Sequence, residues 1–195
     1  MWFTKQIALG LCLALLMVGG GSCAPRPLPA PVSGVTLQPG RYLQDYYRAP
    51  GFEADRVAYT LEPFVVEETQ GTDPDSFRNL LQTEMAQAWE ANGLKLQGPP
   101  GTCRVSGAVW RVRLKGEHFR FLTGKISAQL EVSGAVTRGD ETLFAFSDRI
   151  EVSSPVNPGP PAPRERELLL RQAVRAFLNH LLTELLLQGV PEAEG

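Results

Sequence analysis

Side chains that make reactive sites are scarce in this sequence. Among 195 residues there are three cysteines, two histidines and three tryptophans. One cysteine, Cys12, lies inside an N-terminal apolar run. His118 and His180 have no cysteine or carboxylate neighbours at metal-ligand spacing, and no metal or other cofactor is expected. The net charge is -2, from 19 Lys+Arg against 21 Asp+Glu. That balance lacks the basic excess by which nucleic-acid binders hold phosphate. No G-x-S-x-G nucleophile elbow occurs, and Gly98-Pro99-Pro100-Gly101 lacks the Lys-Ser/Thr of a phosphate-cradling loop. Glu67-Glu68 and Asp73–Asp75 lack the regular ligand spacing of a calcium loop and read as solvated charge. No catalytic residue is assigned, and the chain is expected not to be an enzyme.

Past residue 18 there is also no long apolar run. The one that exists, Ile7–Val18, is twelve residues, too short for the roughly 20 that span a bilayer. It follows a short start carrying Lys5 and precedes Gly19-Gly20-Gly21-Ser22-Cys23. A charged start, a short apolar core and small residues define an export signal, so residues 1–22 are set apart from the fold. Gly21-Ser22-Cys23 resembles the bacterial lipobox, departing from it at Gly20, where that family usually has leucine. The resemblance implies a diacylated N-terminal Cys23, and Ala24 after it implies the outer membrane, facing the periplasm. An ordinary secretory signal cut nearby is the alternative.

Ala24–Gly40 holds Pro25, Pro27, Pro29, Pro31 and Pro39, a composition that favours an extended tether. Residues 23–56 are read as lipidated N-terminus and tether, with Arg41–Arg56 a partly ordered lead-in that lays Tyr42, Tyr46 and Tyr47 on the domain. After signal removal the cysteines are Cys23 and Cys103. With Cys23 acylated, Cys103 is a lone thiol, expected buried and inert; otherwise the two are free to pair.

Residues 57–189 read as a single domain, with 190–195 a tail. Val57–Glu68 alternates as a strand, Val57, Tyr59, Leu61 and Val65 on one face and Phe64 and Val66 on the other, with Pro63 marking an edge or a break. Asp73-Pro74 opens a helix whose apolar stripe is Phe77, Leu81, Met85 and Trp89, and Asn92-Gly93 closes it. Leu94–Leu96 is a candidate short strand. Cys103–Lys115 is a strand whose inward parity switches midway, as at a β-bulge near Gly107. Lys125–Thr137 alternates cleanly, one face buried and the other wet, and Arg138-Gly139-Asp140-Glu141 turns it into Thr142–Val152. Pro155–Pro163 is loop. Arg164–Gln188 is a long helix with Leu170, Val174, Phe177, Leu181 and Leu185 as its stripe. The expected architecture is α+β: a two-layer sandwich in which a mostly antiparallel sheet of three to five strands is covered on one face by two helices.

One basic feature stands out. Arg111, Arg113 and Lys115 share a parity, beside Phe119, Phe121 and Leu122 in the following Gly116–Gly124 loop. Such a cationic strand face next to aromatics could touch a lipid headgroup or an acidic partner; a solvated sheet face is the plainer reading.

The lipobox, the proline-rich tether, the Leu61-Glu62-Pro63-Phe64-Val65 strand before the first helix and the strand pair turning at Arg138-Gly139-Asp140 together resemble small bacterial envelope lipoproteins. These include ABC-transport auxiliary lipoproteins, lipopolysaccharide-assembly lipoproteins and outer-membrane activators of cell-wall synthases. The resemblance implies a non-enzymatic accessory, assembly or scaffold role with an envelope protein as partner. Its alternative is a lipid- or glycolipid-binding auxiliary subunit of an ABC-type transporter, using the concave side of the sheet and the Leu-rich last helix.

Overall fold

The computed structural model describes residues 34–96, 103–116, 125–154 and 163–187. Cys23 with the signal, Pro25 to Pro31, and the loop residues Phe119, Phe121 and Leu122 lie outside them. In chain order the elements are β1 (Gln38–Pro39), β2 (Asp45–Arg48), a 3-10 turn (Ala54–Arg56), β3 (Ala58–Leu61), β4 (Val65–Val66), β5 (Thr69–Gln70) and α1 (Pro74–Ala91). There follow β6 (Lys95–Leu96), β7 (Cys103–Lys115), β8 (Ser127–Arg138), β9 (Glu141–Ser153) and α2 (Pro163–Leu186).

All nine strands join one mixed sheet in the order β1-β2-β9-β8-β7-β3-β6, with β4 and β5 also paired to β7. The expected count of three to five strands is therefore too low, and the sheet is not simply antiparallel. The long strands β7, β8 and β9 form the antiparallel meander that alternation reveals. The strands missed, β1, β2 and β5, are two to four residues long, too short to show a period.

β3, β4 and β5 are one interrupted strand laid parallel to β7. Leu61 lies opposite Val105 and Val65 opposite Ala108, four steps on this strand against three on β7. The extra residue falls around Pro63, which has no N–H to give to a ladder. The slip reverses the expected faces: Phe64 is buried in the core and Val65 is 56% exposed. A second bulge lies on β7, where the pairing to β8 shifts between Val109 and Arg111. It makes Trp110 the unpaired residue, three positions beyond the glycine where a bulge was expected.

Asp73 Oδ2 accepts the Ser76 N–H at 2.8 Å, and Pro74 starts α1. Gly93 (φ 73°) ends it, while the Leu94 N–H returns to the Trp89 carbonyl at 3.0 Å. Both helices cover the same sheet face. On α1 the Trp89 ring meets Tyr59 edge-on with centroids 6.1 Å apart; on α2 Phe177 lies 5.9 Å from Phe146. Trp89 and Phe177 are fully buried. Gly134 makes room for this core, since a Cβ there would stand 2.6 Å from the Phe146 ring and 2.6 Å from the Ser106 carbonyl.

From Gln38 onward the end of the stretch read as tether and the lead-in that follows it belong to the sheet. β2 runs antiparallel to β9, from Asp45 opposite Ser147 to Arg48 opposite Phe144, and the Tyr46 ring lies over Phe144 with centroids 6.0 Å apart. Leu43, Ala49, Phe52 and Ala54 are core residues.

Candidate functional site

Charge on the helix-free face is organised into a ladder. Arg111 Nε lies 2.9 Å from Glu68 Oε2, and Arg113 Nη2 lies 2.6 Å from Glu68 Oε1. Across β8, Glu131 takes Arg111 at 3.3 Å and Arg149 at 3.1 Å. The two guanidinium groups hydrogen-bonded to Glu68, Arg113 more than Arg111, hold its carboxyl below the usual range. Arg111 is raised in turn, first by its bond to Glu68 and then by the charge of Glu131. The structure thus brings Arg111 and Arg113 onto one face with Lys115, but it meets the two arginines with the carboxylates of Glu68, between β4 and β5, and Glu131 of β8. Lys115 is exposed at the strand end. Phe119 and Phe121 lie outside the described residues. Sequence reading missed Glu68 and Glu131 as partners because their pairing depends on the slipped edge strand and on the β7–β8 register.

A second cluster joins the chain's early residues to α2. Glu184 is buried, and its Oε2 accepts the N–H groups of Arg41, Tyr42 and Leu43 at 3.0, 2.7 and 3.4 Å. Arg48 Nη2 donates at 2.7 Å to the carbonyls of Glu184 and Leu185, satisfying two orphan acceptors at the C-terminal end of α2. The Arg48 guanidinium also lies over the rings of Phe52 and Phe144. Burial lowers its affinity for a proton, and the Glu184 charge partly offsets that. One turn earlier on α2, His180 Nδ1 lies 2.9 Å from Asp148 Oδ2. Asp148 Oδ1 accepts the Gln44 and Arg149 N–H groups. Burial pushes the Asp148 carboxyl above the usual range despite the bond from His180. The pair therefore fixes backbone; among the described residues no serine, threonine or cysteine is bonded to His180.

The third feature lies between the helices. Glu84 of α1 is buried and pairs with Arg175 (Nε to Oε2, 2.7 Å) and Arg171 (Nε to Oε1, 3.5 Å) of α2. Beside it a groove of about 720 Å³ is walled by Thr72, Ser76, Leu80, Thr83 and the two arginines. Leu170 of α2 also lines this groove, whereas Leu169, Leu178, Leu181, Leu182 and Leu185 of the same helix are buried in the core.

Among the described residues no three His, Cys, Asp or Glu side chains group so as to hold a metal, and no helix is long and apolar enough to cross a membrane. Cys103 is buried and free, with Arg138 Nη2 3.7 Å from its sulfur.

No family model matches the chain, and no curated protein matches it. Among solved structures it is similar to a minor lipoprotein from Acinetobacter baumannii, with 13% identity and a TM-score of 0.45, covering 65% of this chain and 92% of that one. It is also similar to a PelC dodecamer subunit from Paraburkholderia phytofirmans (10% identity, TM-score 0.42, 75% of this chain and 98% of that one). A third is the rare lipoprotein B of Shewanella oneidensis (14% identity, TM-score 0.35, 60% of this chain and 90% of that one).

Proposed function

We propose that the protein is a lipid-anchored component of a bacterial cell envelope, tethered through Cys23 to the outer membrane and facing the periplasm. There its α+β domain serves as a non-enzymatic accessory or scaffold for an envelope protein partner. The observation that carries the reading is Gly21-Ser22-Cys23, placed directly between a twelve-residue apolar run and a proline-rich stretch. An acylated cysteine would supply the membrane affinity: each buried methylene contributes about 0.8 kcal/mol, so two or three chains hold stably where one does not. The described domain adds support of a different kind. Its Glu68, Glu84 and Glu131 carboxylates are held by arginines of the same chain, and its tether would enter beside β1, at the edge of the sheet.

The test is intact mass together with Cys23→Ser. Acyl additions are expected on the wild type, with the variant released from membranes or held as uncleaved precursor. A chain two hydrogens lighter and free of acyl groups would mean a Cys23–Cys103 disulfide, and the anchor reading would be lost.

A further inference from the structure

The face of the sheet away from the helices carries a valley of small residues. Two rows cross it: Tyr47, Ala145, Ala135 and Ser106, and beside them Asp45, Ser147, Ser133 and Ala108. Trp110 stands at the β7 side, its Nε1–H donating to Ser133 Oγ at 2.7 Å, and Tyr47 at the β2 side. Both rings are partly exposed. The floor is not: Ala145, Ser133, Ser147 and Ala135 are 0, 1, 2 and 3% exposed. This is unexpected for a sheet face from which both helices are absent. It also departs from the wet outer face that the alternation of β8 predicts.

We propose that residues 24–33 lie across this valley as a polyproline II strand, between Tyr47 and Trp110. The chemistry fits. Proline-rich segments dock in shallow grooves flanked by aromatic rings, because they arrive pre-extended and need no ladder hydrogen bonds. From Pro25 to Pro31 every second residue is proline, interleaved with Arg26, Leu28 and Ala30. Reach also fits. The described chain begins at Gly34, just before the edge strand β1. From β1 to β7 is four strand spacings, ~19 Å at ~4.8 Å each. Ten residues rising ~3.1 Å each span ~31 Å.

The loop 117–124 is excluded by distance. Ala108, in the nearer row, lies seven residues before Lys115, ~23 Å at ~3.3 Å per residue. An eight-residue loop doubled back reaches only ~13 Å. Docked, the tether is not a free spacer: it holds the domain close to whatever its N-terminus is fixed to, and releasing it exposes the valley. The inference does not depend on acylation of Cys23.

Trp110 reports the contact. In chain 23–195 carrying Cys23→Ser the only other tryptophan is Trp89, which is fully buried, so acrylamide quenching reads Trp110. Two changes are compared with this parent: deletion of residues 23–33, and replacement of Pro25, Pro27, Pro29 and Pro31 by glycine. Each is expected to red-shift the emission and raise the quenching constant, with an unchanged urea midpoint for the domain. A synthetic peptide of residues 24–33 should restore protection to the deleted chain. Equal quenching in all three chains overturns the proposal. So does protection lost only when residues 188–195 are removed, which would make the C-terminal tail the occupant. Protection of the deleted chain that rises with protein concentration would assign the valley to a second copy and overturns it equally.

Discussion

Replacing Glu184 with alanine isolates the clasp between the early chain and α2. One carboxylate oxygen there takes three backbone N–H groups. The Arg41 and Tyr42 bonds are part-buried, so water can replace the lost acceptor at modest cost. The Leu43 N–H is in a buried setting, and leaving such a donor unpaired costs about 1–3 kcal/mol. The substitution also strips Arg48 of a nearby counter-charge while its guanidinium stays half-buried between rings. Together these place Glu184→Ala at the upper end of that range, about 3 kcal/mol. Glu184→Gln keeps an acceptor oxygen of the same shape and loses only the charge, so about 1 kcal/mol is expected. Urea unfolding of chain 34–195, followed by far-ultraviolet circular dichroism, reads both numbers. Amide exchange reads the location: the Arg41–Leu43 protons should exchange faster in the alanine variant, with the centre of β8 unchanged. If Glu184→Ala unfolds within about 0.5 kcal/mol of wild type, the range of an ordinary surface change, the clasp contributes nothing and the reasoning fails.

Three further outcomes follow from the geometry. Gly134→Ala forces a Cβ against the Phe146 ring and the Ser106 carbonyl, and a loss of about 1–3 kcal/mol is expected in the same urea assay. The Asp148 carboxyl is raised in the folded chain, so the fold binds its proton more tightly than the unfolded chain does. Its contribution is therefore favourable below the free value of 3.8 and is lost as pH rises from there through the folded value. Asp148→Asn should remove that downward slope from the stability–pH curve, and an unchanged slope would show that Asp148 is not its source. Glu68→Gln uncovers Arg111 and Arg113, so flotation of the domain with anionic liposomes should rise and should fall again with salt. Equal flotation of variant and wild type would remove this strand face as a membrane contact.

The long elements were legible in the sequence because their periods are. The stripe Phe77/Leu81/Met85/Trp89, the alternation Ile126 to Val132 and the cap at Asp73-Pro74 each depend on neighbours within a few residues. The same locality explains what was missed. β1, β2 and β5 are held by partners rather than by their own pattern; Tyr46 and Tyr47 look alike in sequence, yet one ring meets Phe144 and the other stands on the opposite face. Pro63 was recognised as a break, but its effect was to flip Phe64 inward, which follows from the β7 register and not from proline alone. The basic cluster was read correctly as sharing a face. Its electrostatic meaning lay in Glu68 and Glu131, 43 and 20 positions from Arg111. His180 sits against a buried aspartate 32 positions away in sequence.

The clasp also sets an order of events. The β7–β8–β9 meander joins neighbours in sequence and can form early, whereas β2 must find β9 about a hundred residues on, and Arg41 to Leu43 bond to a glutamate 141 to 143 positions away. Contacts of such separation form late, because the loop between them must be closed first. A chain that emerges N-terminus first therefore has its opening segment out long before its binding site exists. Residues 45–48 wait for β9, and Arg41 to Leu43 wait until α2 arrives; only then does the point where the tether meets the domain become fixed. A chain stopped before α2 would keep the Arg41–Leu43 amides in fast exchange, even with the meander formed.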